Sequence, residues 1–191
     1  MSKMQVLPLD CEAYYQPGFL TREQCNQIFK EVTDLGIASF IIAKNTRWGK
    51  IMFMDSDLFE NNLLPQEAWG KTSIWVAGLD RIAQSLSELL NWPFHTGVAI
   101  YYPDGEEGVD FHTDYPAFGD TSIIASLSLG AERTFQLRHK TTGNVFSKRL
   151  EEGSLIVMGH DCQDKYEHAL PIDPNCKEPR LNITFRRFGC H

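Results

Sequence analysis

Two amphipathic segments mark the first half of the chain. In LTREQCNQIFKEVTDLG, Thr21 and Gln24 have the spacing of a capping box and apolar residues follow at helical spacing, which predicts a helix that Gly36 ends. In LDRIAQSLSELLNW, a leucine-rich stripe of the same period predicts a second helix, capped by Asp80 and ending before Pro93. We expect both helices to brace a sheet.

From Val98 onward the apolar period changes to two, in short runs separated by Gly, Pro, Asn and Asp. Such runs are typical of an antiparallel sandwich or barrel. The candidate strands are GVAIYY, SIIASLSL, TFQLRH, VFSKRL, SLIVMG and RLNITFRRF, with weaker candidates at ASFIIA and KIMFM. The pattern therefore predicts a mainly β fold with flanking helices (α+β).

The run RLNITFRRF alternates most clearly. Period two places one set of residues on one face, namely Arg180, Asn182, Thr184 and Arg186, and the other set opposite, namely Leu181, Ile183, Phe185 and Arg187. A polar face that simply meets water is one interpretation. The other is that the two arginines hold a dianion inside a barrel, because a guanidinium binds a carboxylate through paired hydrogen bonds.

A candidate metal site begins at His112-Thr113-Asp114, although this spacing alone is a weak signal. His168, in YEHALP, is the candidate third ligand if a barrel brings it near His112. Two histidines and a carboxylate on one side of a metal, with open positions opposite, select ferrous iron in oxygenases. A zinc hydrolase could use the same ligands, but it would not need the arginine strand.

The segment from Arg47 to Met54 mixes cations, aromatics and methionines without a clean period. Arg47 and Lys50 suit phosphates, and Trp48 suits base stacking, so we predict a mobile lid over the site. The alternative is a β-hairpin whose Ile51 and Phe53 extend the core.

The length and the net charge of the chain limit the number of domains and the kinds of partner. The 191 residues, 42% of them hydrophobic, suit one domain over 1–191, with helical braces, first strands and the lid in 1–95 and the catalytic β core in 96–191. The net charge of −7 gives no global attraction to nucleic acid, so such a partner requires a local basic set. The candidates for that set are Arg138, His139, Lys140, Lys148 and Arg149.

The cysteines and the apolar runs bear on the compartment. Five cysteines without a C-x-x-C pair favour reduced thiols over a disulfide framework or a structural zinc site. No stretch approaches the ~20 apolar residues of a membrane span, and the N-terminus has no leader-like run. We therefore expect a cytoplasmic protein with no membrane partner.

From Tyr102 to Phe188 the chain resembles the AlkB family of iron(II) and 2-oxoglutarate-dependent dioxygenases, through HTD, ASLSLGAERTFQLRHK, EEGSLIVMGH, EHALP and RLNITFR in family order. The resemblance implies a double-stranded β-helix (jelly-roll) core that uses Fe(II), 2-oxoglutarate and O2. It implies iron ligands at His112, Asp114 and His168. It also implies a 2-oxoglutarate site at Tyr102, Arg180, Asn182 and Arg186, with Arg180 at the distal carboxylate and Arg186 nearer the metal.

The activity implied is oxidative demethylation, as in repair, of alkylated bases in DNA or RNA. The candidate substrate residues are Arg47, Trp48, Lys50, Tyr115 and Arg138. Ile100 stands where family members usually carry asparagine, and Tyr115-Pro116 stands where repair members often place acids. The alternatives are the same chemistry on a protein side chain or small molecule, and a non-catalytic metal-binding β-barrel module. No obligate protein partner is expected.

Overall fold

The structure is a computed structural model that describes residues 4–41, 46–116 and 119–189. The strands within these ranges are β1 Gln5–Val6, β2 Ala13–Gln16, β3 Gly49–Met54, β4 Thr72–Ile74, β5 Thr96–Tyr102, β6 Val109–His112, β7 Asp120–Gly130, β8 Arg133–His139, β9 Val145–Leu150, β10 Leu155–Met158, β11 Tyr166–Leu170 and β12 Arg180–Arg187. The helices are α1 Arg22–Thr33, α2 Ser56–Glu60, α3 Gln66–Trp69, α4 Ala77–Leu90 and α5 Cys162–Lys165, with a short 3-10 helix at Ile37–Ser39.

The described strands form two sheets. The larger sheet has the order β1-β2-β10-β7-β12-β5-β3-β4, and the smaller has the order β6-β11-β8-β9, so β9 lies at an edge. The β3–β4 pair is parallel and the other pairs are antiparallel. Side chains of both sheets share a core, in which Ile124 and Ile156 of the larger sheet pack with Phe135 and Leu137 of the smaller. The predicted mainly β fold with flanking helices is confirmed.

Helices α1 and α4 cover the outer face of the larger sheet, as predicted. Ile28 of α1 and Leu86 of α4 join Leu181, Ile183 and Phe185 of β12 in one core cluster. This cluster occupies the β12 face opposite the arginines, so the predicted period of two is confirmed there. No helix in the described ranges is long and apolar enough to cross a membrane.

The helix boundaries differ from the predicted ones. The capping box of Thr21 and Gln24 is present, but α1 ends at Thr33, before Gly36, which has a φ of 76°. Asp80 does not cap the second helix, because α4 begins at Ala77. Glu31 of α1 accepts a hydrogen bond from the backbone N–H of Gly78 at 2.8 Å, and this contact satisfies a free donor at the start of α4.

The lid predicted around Arg47–Met54 is wrong for most of its length. Residues Gly49–Met54 form β3, which is buried throughout and pairs with β4 and β5. Ile51 and Phe53 lie in the core, as the hairpin alternative requires, and Gly49 at the start of β3 forms an antiparallel bridge with Ile41. The weak candidate strand ASFIIA is also wrong in its first part, where residues 37–39 form the 3-10 helix; residues 42 and 43 lie outside the described residues.

The described cysteines are free thiols at positions 11, 25, 162 and 176. Cys190 lies outside the described residues. Cys162 is buried beside Cys11, so the thiol pair is part of the core between the sheets.

Candidate metal centre and adjoining pocket

His112 and His168 are direct cross-strand partners in the smaller sheet. His112 ends β6 and His168 lies within β11, and the two residues face each other in the antiparallel register. Their ring centroids are 4.3 Å apart. Because side chains of directly opposed residues project to the same face, the pairing of β6 with β11 brings the two imidazoles together.

Asp114 follows β6 by two residues and turns its carboxylate toward both imidazoles. Its Oδ1 lies 3.9 Å from Nε2 of His112 and 3.7 Å from Nε2 of His168. One ligand atom from each of the three residues lies within 4.8 Å of the others. The predicted triad is therefore assembled in space, although its residues come from two strands and a loop.

The protonation of the two imidazoles suits a metal. Nδ1 of His112 lies 2.8 Å from the carbonyl oxygen of Asp110, which can only accept, so Nδ1 donates to it and Nε2 is the ring nitrogen that remains for a metal. Burial lowers the pKa of His168 to about 4, so this imidazole is neutral at neutral pH. Two imidazoles and one carboxylate are the donors that ferrous iron accepts, so the residues present fit that metal.

Two contacts hold Asp114 in place. Its backbone N–H donates to Oε1 of Gln163 in α5 at 3.0 Å. Its Oδ2 lies 3.0 Å from Nη2 of Arg186, whose side chain is buried. Nη1 of Arg186 donates to the carbonyl of Tyr115 at 3.1 Å, so this arginine holds both the carboxylate and the loop that follows it.

A pocket of about 330 Å³ adjoins the triad and lies between the two sheets. The polar face of β12 lines it, with Arg180, Asn182, Thr184 and Arg186 in order along the strand. These polar residues face a pocket between the sheets. This placement agrees with the interpretation that the two arginines of the strand hold a dianion. The water-exposed alternative is excluded, since Arg180 and Arg186 are each 3% exposed.

Arg180 lies at the end of the pocket away from Asp114. It is the direct partner of Tyr102 across β5, and its guanidinium carbon lies 5.7 Å from the centre of that ring. Nη2 donates to Oγ of Ser128 at 3.1 Å, while Nε is buried without a hydrogen-bond partner among the described residues. Burial lowers the pKa of Arg180 to about 10 and raises the pKa of Tyr102. A buried guanidinium with free donors is the expected partner of a carboxylate.

Asn182 occupies the middle of the same face. Its Nδ2 donates to Oγ of Ser126 and to the carbonyl of Leu127, both at 2.9 Å, and the residue lines the pocket. Ser126, Ser128 and Gln163 are not among the predicted site residues. The two serines have a signal in the sequence, since they alternate with apolar residues in SIIASLSL, whereas Gln163 lies in a short helix with no pattern of its own.

The candidate substrate residues divide into two groups. Trp48, Lys50 and Tyr115 line the pocket. Trp48 stacks on Tyr102 at 6.3 Å between ring centroids, and Tyr115 is 67% exposed at the mouth. Arg47 and Arg138 are not among the described residues that line it.

Arg47 and Arg138 both form ion pairs with acidic residues nearby. Arg47 makes two hydrogen bonds to Asp104, each 2.8 Å long, and a further one to Glu107. Arg138 pairs with Glu167 and lies 4.0 Å from the ring centre of Phe111. Each of these two arginines therefore pairs with carboxylates of its own chain, and their predicted role in substrate binding stays a prediction.

The other residues of the predicted basic set also contact polar or aromatic groups of the chain. Arg149 pairs with Glu132, and His139 lies 3.4 Å from a carboxylate oxygen of Asp10. The Nζ of Lys140 donates to the carbonyl of Gln163, and that of Lys148 lies over the ring of Tyr15. Each of these cations therefore has a partner within the chain, and the prediction that the set binds phosphate stays a prediction.

Comparison with known proteins agrees with this geometry. A family model described as the 2OG-Fe(II) oxygenase superfamily matches residues 12–186. Alpha-ketoglutarate-dependent dioxygenase alkB homolog 3 of Mus musculus is 31% identical over 122 residues, which cover 59% of this chain and 43% of that protein. DNA oxidative demethylase ALKBH2 of Bos taurus is 35% identical over 124 residues, which cover 59% of this chain and 44% of that protein. The chain thus matches less than half the length of these curated relatives.

A solved structure, that of OsALKBH1, shares the fold. It aligns with a TM-score of 0.66 at 16% identity, over 95% of this chain and 100% of the other. The jelly-roll architecture predicted from the resemblance is confirmed by this match.

Proposed function

The chain belongs to the 2OG-Fe(II) oxygenase superfamily and is an AlkB-like dioxygenase whose cofactors are Fe(II), 2-oxoglutarate and O2; we propose that its reaction is the oxidative demethylation of alkylated bases in nucleic acid. The observation that carries the proposal is one pocket that joins the His112, Asp114 and His168 triad to two buried arginines. The names of the curated relatives support the choice of substrate, since one of them is a DNA oxidative demethylase.

Different residues of the pocket would bind the iron and the 2-oxoglutarate. His112, Asp114 and His168 would hold the iron, and Arg180 with Tyr102 would hold the distal carboxylate of 2-oxoglutarate. When bound, iron and cosubstrate supply the oxidation of a C–H bond by dioxygen, in which 2-oxoglutarate becomes succinate and carbon dioxide. Arg186 keeps Asp114 oriented, because it pairs with Oδ2 while Oδ1 is the oxygen near the two imidazoles.

The product chemistry makes a demethylation testable. A methyl group on a base nitrogen gains one oxygen atom and becomes a hydroxymethyl group, which leaves as formaldehyde. Trp48 at the pocket wall offers an aromatic face for the base, and base stacking on such a face is worth about 1–3 kcal/mol. Tyr115 and Lys50 complete the substrate side of this proposal.

Two observations favour a second candidate, the same oxidation of a protein side chain or small molecule. Phosphates attract unpaired cations, whereas Arg47 and Arg138 near the pocket are each bound to acids of the chain. The net charge of −7 also disfavours a polyanion.

The test is turnover of the iron-reconstituted protein with 2-oxoglutarate. Methylated single-stranded DNA, methylated duplex DNA and methylated RNA are compared with the same oligonucleotides unmethylated, and succinate and formaldehyde are both measured. We expect formaldehyde in proportion to succinate from at least one methylated substrate. The variant His168→Ala serves as the inactive control, because it removes one ligand of the triad.

Two outcomes separate the candidates. Succinate production that no methylated oligonucleotide stimulates, with no formaldehyde, would refute demethylation and leave the oxygenase assignment in place. Stimulation of succinate production by a peptide or small-molecule library instead of oligonucleotides would favour the second candidate.

A further inference from the structure

A short acidic loop joins β5 to β6, two strands that line the pocket, and its backbone is held from inside the protein. Arg133, which is fully buried at the start of β8, donates to the carbonyls of Asp104 and Glu107 in this loop, at 3.2 Å and 2.9 Å. It also donates to the carbonyl of Pro171 at 2.7 Å. Three hydrogen bonds from one buried guanidinium fix the course of the loop, so its carboxylates extend from a rigid backbone.

The carboxylates of this loop hold Arg47 by its side chain and by its backbone. Nη1 and Nη2 of Arg47 each donate to one carboxylate oxygen of Asp104 at 2.8 Å, which is the paired geometry of a guanidinium on a carboxylate. Oε1 of Glu107 accepts from Nε at 3.3 Å and from the backbone N–H of Arg47 at 3.0 Å. The paired geometry and the backbone contact distinguish this arrangement from an ordinary surface ion pair, which contributes little.

Trp48 lies between this contact and the sheet. Gly49 begins β3 and is the direct partner of Tyr101 on β5, which places Trp48 level with Tyr102. The rings of Trp48 and Tyr102 stack with their planes 22° apart, and both residues line the pocket. The backbone N–H that Glu107 holds belongs to the residue directly before Trp48. The loop and the sheet therefore fix the backbone on both sides of the tryptophan.

We propose that Glu107 and Asp104 are positioning residues that fix the ring of Trp48, through Arg47, for stacking of the substrate base. The inference rests on the demethylation proposed above, in which Trp48 contacts the base. It gives Arg47 a role within the protein in place of a phosphate contact. A ring that is already ordered loses little conformational freedom when a base stacks on it, so the positioning raises the affinity for the substrate.

The sign of one substitution separates a positioning role from a phosphate contact. Glu107→Leu removes the acceptor for two N–H groups of Arg47 together with one negative charge. If Arg47 contacted a phosphate, the loss of this competing carboxylate would tighten oligonucleotide binding, whereas a positioning role predicts weaker binding. The Kd of a methylated single-stranded oligonucleotide is measured on the Mn(II)-loaded protein with 2-oxoglutarate, in which no turnover occurs. We expect it to rise about fivefold, the low end of what one stacked base contributes.

Glu106→Leu is the matched control. It removes the same charge from the same loop, but the side chain of Glu106 is 60% exposed and its carboxylate lies 3.6 Å from Nη2 of Arg47, beyond hydrogen-bond distance. This variant is expected to leave the Kd unchanged or slightly lower, since the loss of a negative charge favours a polyanion.

A double-mutant cycle tests whether Glu107 acts through Trp48. In the Trp48→Ala protein, Glu107→Leu is expected to change the Kd by less than about twofold, because the ring that the loop positions is gone. Arg47→Met breaks the same contact from a side chain that is 50% exposed, and it serves if Glu107→Leu lowers the yield of folded protein. It is expected to raise the Kd to a similar degree.

The ring itself is followed by 19F NMR of protein labelled with 5-fluorotryptophan. The chain has four tryptophans, and the resonance that disappears in Trp48→Phe belongs to Trp48. Glu107→Leu and Arg47→Met are expected to shift or broaden this resonance and to leave the other three in place. Glu106→Leu is expected to leave all four in place. This readout requires neither a substrate nor turnover.

The outcomes separate this inference from the function on which it rests. Tighter oligonucleotide binding by Glu107→Leu, or an equal effect of that substitution with and without the ring of Trp48, would overturn the inference and leave demethylation in place. A Trp48 resonance that moves in neither Glu107→Leu nor Arg47→Met would also overturn it. If the resonance moves but the wild type binds no methylated oligonucleotide and releases no formaldehyde, the proposed function is wrong and the positioning of Trp48 stands.

Discussion

Replacing Arg180 with methionine is expected to stabilise the ligand-free protein and to abolish its stabilisation by 2-oxoglutarate. Arg180 is 3% exposed. Among the described residues its guanidinium has a hydrogen bond to Ser128 and a contact with the ring of Tyr102, but Nε has no partner. The ligand-free protein therefore maintains a buried charge, for which the carboxylate of the proposed cosubstrate would be the main counter-ion.

The size of this effect follows from the pKa of Arg180. Burial lowers that pKa from its usual value to about 10, which corresponds to roughly 3 kcal/mol of folding free energy. Because the folded-state pKa is the lower one, the penalty is fully present below about pH 10 and disappears as the pH rises through the folded-state pKa toward the usual value of an arginine. The lost hydrogen bond to Ser128 offsets about 1–2 kcal/mol. The net gain of about 1–2 kcal/mol at neutral pH raises the Tm by roughly 2–8 °C for a chain of this size.

The assay is thermal unfolding at neutral pH, with and without saturating 2-oxoglutarate and Mn(II). The wild type gains about 2.7 kcal/mol at a ligand concentration of 100 times Kd, whereas Arg180→Met gains almost nothing from the same amount of cosubstrate. Arg187→Met is the matched control, because Arg187 ends the same strand but lies over the ring of Trp92, outside the pocket. A lower Tm for ligand-free Arg180→Met, together with an unchanged ligand shift, would show that Arg180 is a structural residue.

Three further variants test the site. Asp114→Ala is expected to lose bound metal, measured by elemental analysis, and to lower the Tm because Arg186 loses its carboxylate; full metal occupancy would contradict the triad. Gln163→Leu should weaken Mn(II) binding about tenfold, because the N–H of Asp114 loses its acceptor, and Gln163→Glu should not, since it keeps one; equal affinities in a titration would remove Gln163 from the site. Trp48→Ala should weaken methylated-oligonucleotide binding by about 1–3 kcal/mol with little change in Tm; a large fall in Tm with unchanged binding would make Trp48 a core residue.

The arginine strand could be predicted because its pattern is local. In RLNITFRRF the polar and apolar residues alternate without interruption, so one strand assignment places Arg180 and Arg186 on the same face. The histidine pair is different. β6 and β11 are short and have no clear alternation, and their register comes from pairing between strands that are distant in sequence. The sequence could suggest that His112 and His168 meet, but not that they are direct cross-strand partners.

The lid prediction was wrong because both faces of β3 are covered. Ile51 and Phe53 pack under the helices, while Met52 and Met54 form a separate cluster with Leu64. A strand that is apolar on both faces has no period of two, and this removed the signal that identifies strands. The start of α4 was misplaced for a related reason, since its capping acceptor comes from another helix and not from a neighbouring residue.

The position of β9 has a consequence for self-association. As an edge strand of the smaller sheet, β9 pairs with β8 on one side, and no strand within the described ranges pairs with its other side, where a strand of a second molecule could add. Lys148 and Arg149 lie on this strand, and two copies that paired edge to edge would bring these charges together. Lys148 and Arg149, which suggested phosphate binding in the sequence, thus also disfavour aggregation through the edge of β9. This effect does not depend on which substrate the protein has.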